Sequence, residues 1–443
     1  MYEHTLIIRY IMKRLLTGLA LMAFVLGMSA ENKSLKLTVS NESGVDKINE
    51  PVVLRLKDVK KLKFNVADAT VKQSGTDEAL PVQVDDMDGD YKADELVFLA
   101  DFKAHERKTF EVELHDKAVN ALPGNDNNRL YVALQFRDRK DRWPDLTRVE
   151  APGKTNIFND IYMHGITLEN EYVGFRIYFD ERQNIDLYGK KKQRIELPLT
   201  QFYTTQEQLD EGYGTDVLWA GKAIGCGSFK RFYDGEPENW LSDAVGTRGQ
   251  RIVTKGPIRT VIEVYDLGIA QKPEKDDGGT ASEYLDVHQY YTLYAGRRDM
   301  RIDVRYNTKP ITRERQFCTG VQKVGVTADD SVRMGHTPAG ILRDDGIAAS
   351  WGCDYPDMGK KQLWAPEPIG MAVYVPEQYI RGSKETELDY LYIVEPKDRE
   401  LHYWLSFCCD KEEHDSYHSS TEWFNSMNSW KASLDNPVRI ELR

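Results

Sequence analysis

Short runs of alternating apolar and polar residues, separated by turn residues, fill most of this sequence. The runs in its first quarter are Leu35-Leu37-Val39, Val52-Leu54-Leu56, Leu62-Phe64-Val66, Val82-Val84, Leu96 to Phe102 and Phe110-Val112-Leu114. A period of two is typical of strands that bury one face, and the 24 Tyr and 15 Phe residues also favour strands. This part of the chain therefore predicts a small β-sandwich over residues 31–120.

A polar, turn-rich segment, NALPGNDNN at residues 120–128, predicts a linker after this sandwich. Strand-like runs continue to the C-terminus, and 443 residues exceed one ordinary core. We therefore expect an all-β protein with a second, larger β-domain over residues 129–443 and few helices. One helix is predicted to start at a capping box of Ser419 and Glu422. Its apolar residues recur at helical spacing: Trp423, Met427, Trp430 and Leu434.

Residues 1–30 predict a secretory signal peptide, and residues 1–11 read as an over-extended start. A basic pair at 13–14 precedes an apolar run at 15–26, and small residues at 29–30 offer cleavage sites. The run is too short for a membrane anchor. We expect an exported, periplasmic protein with no membrane insertion after cleavage.

Charge and motif spacing limit the partners and cofactors. The net charge of −12 disfavours nucleic acid and anionic membranes, which need basic patches. The five cysteines form no CxxC pair and no zinc spacing, and most are expected to be small buried side chains. No HExxH motif and no Gly-x-Ser-x-Gly elbow occurs. No nucleotide, flavin or zinc is expected, and the oligomeric state is left open.

A Gly-rich stretch, YGTDVLWAGKAIGCGSFKRFYD at 213–234, lies between strand-like segments. It lacks the spacing of a phosphate-binding loop, because Lys222 is followed by Ala223. Its glycines are expected either to let the backbone pass close to a neighbour or to mark simple strand bends.

The strongest hairpin runs from Tyr284 to Asn307 and turns at residues 295–298. A four-residue turn sets a register in which one face is apolar. The other face carries these polar pairs: Asp286 with Asn307, His288 with Arg305, Tyr290 with Asp303 and Thr292 with Arg301. Such a ladder is either a solvent face or a concave binding face. His, Tyr and Arg together can transfer protons and hold a carboxylate.

The sharpest local motif is a run of carboxylates in DMDGDYKAD: Asp86, Asp88, Asp90 and Asp94. Carboxylates at the first, third, fifth and ninth positions can surround one hard cation, as in calcium loops. Tyr91 and Val97 stand where an EF-hand needs Gly and Glu, so an EF-hand is excluded. The motif predicts either a calcium site within a β-hairpin or an acidic, solvated turn.

Three stretches together resemble a known family. They are ELVFLADF after the Asp motif, LENEYVGFRIYF at 168–179, and TDVLWAGKAIGCGSF followed by KGPIRTVIEVYDL. They are similar to the bacterial domain of unknown function 4861, over nearly the whole mature chain. The resemblance implies a galactose-mutarotase-like β-supersandwich, a fold shared by epimerases, polysaccharide lyases and glycosidase domains. It also implies an exported protein of glycan utilisation, acting on uronate-containing, pectin-type substrates.

An enzyme on such glycans is the first expectation. For a lyase, the expected base is His288 or Tyr290, and the expected partner of the substrate carboxylate is Arg305 or Arg259. For a hydrolase, two carboxylates must flank the scissile bond. The candidate carboxylates are Glu171, Asp216 and Glu367.

The substrate is expected to contact the Gly-rich stretch, which the resemblance places beside the cleft. Asp216, Trp219 and Lys222 are expected at the rim, with Arg176 and Asn170 as further binding residues. The alternative functions are a non-catalytic carbohydrate-binding accessory protein and a mutarotase-type sugar epimerase.

Overall fold

The computed structural model describes residues 31–119, 129–200, 202–239, 245–270, 284–308, 316–325, 337–357, 365–414 and 416–443. The predicted signal peptide and linker lie outside the described residues. Two helices, α1 (Gln206–Asp210) and α2 (Ser420–Asp435), accompany 27 strands in these ranges. The protein is therefore all-β, as predicted.

The N-terminal sandwich contains β1 (Asn32–Ser40), β2 (Lys47–Arg55), β3 (Asp68–Gln73), β4 (Ala79–Leu80), β5 (Val82–Asp85), β6 (Glu95–Phe102), β7 (Arg107–His115) and β27 (Arg439–Leu442). They form two sheets, ordered β27-β1-β7-β3-β4 and β2-β6-β5. The apolar residues of the alternating runs face each other between the sheets. Phe98 and Phe110 meet there with ring centroids 5.0 Å apart.

The last strand of the chain belongs to this first sandwich. β27 pairs antiparallel with β1, so Leu442 lies opposite Leu37, and Ile440 packs on the N-terminal core. The sequence placed this strand in the large domain, because alternation identifies a strand but not its partner. The small sandwich is therefore completed by both ends of the chain.

The large domain contains β8 (Leu130–Ala133), β9 (Arg148–Pro152), β10 (Gly165–Asn170), β11 (Val173–Tyr178), β12 (Ile185–Gly189), β13 (Thr215–Asp216), β14 (Lys230–Tyr233), β15 (Glu236–Glu238), β16 (Thr247–Lys255), β17 (Arg259–Ala270), β18 (Tyr284–Tyr294), β19 (Asp299–Tyr306), β20 (Gln316–Gln322), β21 (Ala339–Leu342), β22 (Ile347–Asp354), β23 (Glu367–Tyr374), β24 (Ile380–Glu385), β25 (Asp389–Val394) and β26 (Glu400–Cys409). A nine-stranded sheet has the order β21-β22-β23-β26-β19-β18-β17-β16-β9. The back sheet has the order β13-β12-β11-β10-β8, and a third sheet has the order β15-β14-β20-β25-β24.

One hydrophobic core joins the inner faces of these sheets. Phe175 of the back sheet meets Phe407 of the nine-stranded sheet, with ring centroids 5.4 Å apart. The two sheets are thus the two layers of a sandwich, and their outer faces point in opposite directions. A small N-terminal sandwich followed by a large β-sandwich with few helices is confirmed.

The hairpin of β18 and β19 has the predicted register. His288 lies opposite Arg305 and Tyr290 opposite Asp303. The alternate residues, including Tyr291, are buried in the core. The polar ladder therefore occupies the outer face of the nine-stranded sheet.

Residues 223–230 of the Gly-rich stretch are buried, and Cys226 and Phe229 belong to the core between the sheets. Gly227 has φ +74°, and a Cβ there would lie 2.7 Å from Leu405 Cδ2. The Gly227 carbonyl accepts a hydrogen bond from the Tyr403 hydroxyl at 2.8 Å. Close backbone approach, one of the two predicted explanations, is therefore the reason for this glycine.

Helix α2 starts where the sequence predicted. The Ser419 hydroxyl caps it by accepting from the Glu422 N–H at 3.3 Å, while the Glu422 carboxylate accepts from the His418 N–H at 2.8 Å. Trp423 and Met427 are buried against the nine-stranded sheet. All five cysteines are buried thiols, and none is part of a disulfide in the described ranges. Within the same ranges, no helix has the length and apolarity needed to cross a membrane.

Candidate functional site

His288 on β18 forms a hydrogen-bonded pair with Glu263 on β17. The His288 Nδ1 atom lies 2.7 Å from Glu263 Oε1. An ionised carboxylate can only accept, so Nδ1 carries the proton and Nε2 is the ring nitrogen with a lone pair. The His288 side chain is 31% exposed and the Glu263 side chain 4% exposed. A buried carboxylate thus orients a solvent-reached imidazole.

Glu263 is held in its ionised form by three donors. Burial raises its pKa, but hydrogen bonds from His288, Arg251 and Tyr290 outweigh burial and bring the pKa down to about 2. The Arg251 guanidinium forms an ion pair with the same carboxylate. Because Glu263 keeps its negative charge, it can stabilise the His288 ring when that ring gains a proton.

Tyr290 and Arg305 lie beside this pair. Burial and the charge of Glu263 raise the pKa of Tyr290 to about 12, so its hydroxyl keeps its proton. The Arg305 guanidinium stacks on the Tyr290 ring, 4.9 Å from its centroid. The Arg305 side chain is 54% exposed, and its ion pair with the exposed Glu400 is long, at 3.6 Å. Because an exposed ion pair of this length is weak, Arg305 can bind a ligand carboxylate at little cost.

Tyr265 extends the site on the other side of His288. The two rings are stacked with centroids 6.1 Å apart, and the Tyr265 hydroxyl donates to Glu150 Oε1 at 2.5 Å. Arg148 Nε donates to the Tyr265 hydroxyl oxygen at 2.8 Å. Glu263 and Tyr265 were not among the residues predicted from the sequence. The sequence did contain a pattern that could have identified them. In TVIEVYDL, Glu263 and Tyr265 alternate with apolar residues, which places both on the outer face of β17.

Arg259 does not belong to this site. Its guanidinium donates to Asp85 Oδ2 at 2.8 Å and to Glu95 Oε2 at 2.6 Å. Both carboxylates come from the N-terminal sandwich, and the Arg259 side chain is 5% exposed. Arg259 therefore joins the two domains, with its charge paired and shielded from solvent. Its expected role as a substrate partner is not supported by this placement.

Arg176 and Asp216 are brought together, but on the outer face of the back sheet. Arg176 Nη2 lies 2.8 Å from Asp216 Oδ2, and Arg176 also pairs with Asp186. Burial, followed by the charge of Asp186, raises the pKa of Asp216 well above its usual value. This face points away from His288 across the sandwich. Arg176 and Asp216 thus cannot act on the same sugar ring as His288, Tyr290 and Arg305.

Two of the three carboxylates expected for a hydrolase, Asp216 and Glu171, lie far apart in the back sheet. Asp216 lies on β13, and Glu171 directly follows the end of β10. These two strands are three strand spacings apart in the back sheet, about 14 Å in all. Glycosidase carboxyl pairs need separations of roughly 5–9.5 Å. Glu171 instead binds Arg129, and Glu367 lies 3.7 Å from Lys411 on the nine-stranded sheet. Asp216 and Glu171 are therefore too far apart to act as an acid and nucleophile pair.

Asn170 has a structural role. Its amide donates to the carbonyls of Tyr294 and Arg297 at 2.7 and 2.5 Å, and its oxygen accepts from the Tyr172 N–H at 2.8 Å. These hydrogen bonds engage both the nitrogen and the oxygen of the side-chain amide and fix the end of β10 to the β18–β19 turn. Trp219 is 43% exposed, and Lys222 is exposed in the next turn. Both side chains therefore reach solvent, and their role at the rim of a cleft stays a prediction.

The Asp motif forms a tight surface loop between β5 and β6. One oxygen each from Asp86, Asp88 and Asp94 lie within 4.8 Å of one another. Asp90 is not among them, because its carboxylate binds Lys92 Nζ at 2.8 Å. The oxygen donors suit Ca²⁺, but the set contains three of the four predicted residues.

The fold and site define an all-β sandwich protein with a His–Glu pair on an open sheet face. The chain belongs to the family described as Domain of unknown function (DUF4861), which matches residues 39–440. No curated protein matches it.

Two solved structures from Enterococcus faecalis are similar in part. One is a protein in glycosyl hydrolase family 38, with 9% sequence identity and a TM-score of 0.42. The match covers 93% of this chain and 47% of the glycosyl hydrolase chain. The other is an alpha-mannosidase from strain V583, with 8% sequence identity and a TM-score of 0.42. The match covers 93% of this chain and 46% of the mannosidase chain. The chain thus spans about half the length of these proteins.

Proposed function

We propose that this protein is an exported, periplasmic enzyme that cleaves uronate-containing, pectin-type glycans by β-elimination. The observation that supports this most is the His288–Glu263 pair, with Arg305 beside it on a solvent-reached face. An elimination needs a base at the carbon beside the uronate carboxylate, a group that neutralises the carboxylate, and an acid for the leaving oxygen. His288, Arg305 and Tyr290 match these three roles.

The proposed reaction has three linked changes. The His288 Nε2 atom removes the C5 proton, and the electrons of the C–H bond form the C4–C5 double bond. The C4–O4 bond breaks, and the leaving oxygen takes the proton of the Tyr290 hydroxyl. Glu263 stabilises the imidazolium so formed, while Arg305 stabilises the negative charge that builds up on the carboxylate. Proton exchange with solvent then restores both side chains.

A product assay tests this proposal. The purified protein is incubated with pectin, rhamnogalacturonan and other uronate oligosaccharides, and ultraviolet absorbance is followed together with chain length. A rise in absorbance with shortening chains is the expected result, because elimination leaves a conjugated double bond. Shortening without absorbance would indicate hydrolysis, and binding without either change would indicate an accessory protein. Anomer interconversion alone would indicate a sugar epimerase.

We also propose calcium as a ligand of the Asp86–Asp94 loop. Three carboxylates held close together repel each other unless a cation or protons neutralise them. The loop lies on the N-terminal sandwich, so a calcium ion there would stabilise that sandwich and take no part in the elimination.

A further inference from the structure

A second cluster of aromatic and titratable groups lies on the outer face of the back sheet, opposite the face of His288. Its centre is His164, whose imidazole stacks on Phe158 with ring centroids 3.9 Å apart. Phe202 contacts the imidazole edge-on at 4.7 Å, and Tyr178 does so at 6.2 Å. We call these four rings the His164 patch. All four are half-buried. The Arg176 guanidinium lies over the Phe202 ring, 4.0 Å from its centroid, and that of Arg182 lies 5.9 and 5.8 Å from the Phe158 and Tyr178 centroids.

The chain fixes His164 through an uncommon backbone conformation. Met163 and His164 have φ of +57° and +61°, a region that non-glycine residues rarely adopt. Gly165 follows directly, and a Cβ there would lie 1.8 Å from the Ile177 carbonyl oxygen. The chain therefore turns tightly onto β10 at this point, and consecutive left-handed residues present the imidazole to the neighbouring rings.

The hydrogen bonding of His164 leaves one acceptor free. Its Nδ1 atom lies 3.2 Å from the Phe158 carbonyl oxygen, which can only accept, so Nδ1 carries a proton. Burial lowers the pKa of His164, which favours the neutral ring. Within the part of the chain that the structure describes, no group bonds Nε2. The patch thus offers a neutral nitrogen acceptor between aromatic surfaces.

Two arginines and three aspartates lie beneath the patch and pair with one another. Arg176 pairs with Asp186 and Asp216, and the Tyr178 hydroxyl donates to Asp186 at 2.9 Å. Arg182, at the edge, pairs with Asp180. Of the Arg176 guanidinium, the buried Nε atom remains without a hydrogen-bond partner among the described residues. An anionic ligand would therefore meet no unpaired arginine here, whereas a neutral ligand with hydroxyl groups needs no counter-charge.

A pyranose ring has the matching properties. Its C–H groups form an apolar face that stacks on aromatic rings, and its hydroxyl groups can donate to a nitrogen acceptor. We propose that the His164 patch is a second sugar-binding site, which takes an uncharged pyranose ring. The site would hold a neutral part of a glycan on one side of the sandwich, independently of any reaction at His288.

Nuclear magnetic resonance of histidine rings tests the site directly. The full-length protein is labelled at histidine and titrated with the methyl glycosides of galactose, glucose and rhamnose, with galacturonate as the charged comparison. We expect saturable movement of the His164 ring signals with at least one neutral sugar, and at least tenfold weaker binding of galacturonate. Signals that stay in place up to the solubility limit of every neutral sugar would overturn the proposal, as would tighter binding of galacturonate.

A matched pair of variants adds a second test. His164→Asn suits the left-handed backbone, which Asn tolerates. His105→Asn makes the same change at φ +59° on the N-terminal sandwich. We expect His164→Asn to weaken sugar binding at least tenfold and His105→Asn to leave it unchanged; equal binding by both variants would contradict the site. His288→Ala should retain binding at the patch, so failure of the proposed elimination and failure of this site are distinguishable.

Discussion

His288 bonds Glu263 diagonally across β17 and β18, because the residue directly opposite Glu263 is Tyr290 and the residue opposite His288 is Tyr265. The diagonal contact lets one buried carboxylate serve two side chains that are two residues apart on one strand. The His288 side chain remains 31% exposed in this arrangement. The pair therefore has the orientation that a general base needs, within a sheet that fixes its position.

Replacing His288 tests the proposed base. His288→Ala should lower the rate of elimination by roughly 10²- to 10⁴-fold, the usual contribution of a positioned acid or base, as measured by product absorbance. The control is His418→Ala, since His418 Nδ1 also binds a carboxylate, Asp410, at 3.0 Å but lies outside the sheets. Full activity in His288→Ala would exclude this residue as the base.

Replacing Arg305 tests recognition of the substrate carboxylate. Arg305→Ala should reduce kcat/KM on a free uronate by about tenfold or more, because a charge-assisted bond is lost. The loss should be smaller on a methyl-esterified substrate, which has no carboxylate to pair. Arg381→Ala is the matched control, since its side chain is 55% exposed, against 54% for Arg305, and lies on the third sheet. Equal losses on both substrates would rule out carboxylate pairing.

Replacing Arg259 should affect stability and not chemistry. Arg259→Ala leaves Asp85 and Glu95 without their partner at the interface of the two domains. We expect a loss of about 3–5 kcal/mol in the free energy of unfolding, as for other broken buried ion pairs, measured by denaturant unfolding. The specific activity of the folded fraction should be unchanged. A large fall in kcat with normal stability would indicate that Arg259 acts in the active site.

Calcium should raise the melting temperature of the protein if the Asp loop binds it. The shift should disappear in Asp88→Ala, which removes one of the three clustered carboxylates. It should persist in Asp90→Ala, because Asp90 is paired with Lys92 outside the cluster. Differential scanning fluorimetry with saturating calcium measures both. An unchanged melting temperature in the parent protein would contradict a calcium site.

Asp389 should make the stability of the protein depend on pH. Burial raises its pKa from 3.8 to about 6, so its favourable contribution is complete below pH 3.8 and is lost as the pH rises through 6. Relative to Asp389→Asn, the parent should lose roughly 2–2.5 kcal/mol of unfolding free energy between pH 4 and pH 7. Urea unfolding at both pH values measures this, with exposed Asp77→Asn as the control. Parallel behaviour of parent and Asp389→Asn would disprove the effect.

Local patterns were sufficient for the β18–β19 hairpin and for helix α2. The period-two alternation and the turn length set the register of the hairpin, so His288 and Tyr290 could be assigned to one face from the amino-acid order alone. Ser419 and Glu422 marked the start of α2 because capping involves neighbouring backbone groups only. In both cases the interacting groups are close in the sequence.

Contacts between residues that are distant in the sequence could not be predicted from local patterns. Glu263 lies 25 residues from His288, and Arg259 lies 174 residues from Asp85. A charged residue in an apolar strand indicates that a partner exists but does not identify it. The sequence therefore grouped Arg259 with the hairpin, although Arg259 binds the N-terminal sandwich.

The sequence by itself determined the all-β class, the two-sandwich organisation and the polar face of the hairpin, since these depend on alternation and turn chemistry along continuous segments. Only the tertiary structure decided which face each polar residue shares with others. A sheet face brings together residues from strands that are distant in the chain, and the strand order is set by packing of the common core. That order placed Glu263 under His288, and it placed Arg176 and His164 on the far side of the sandwich.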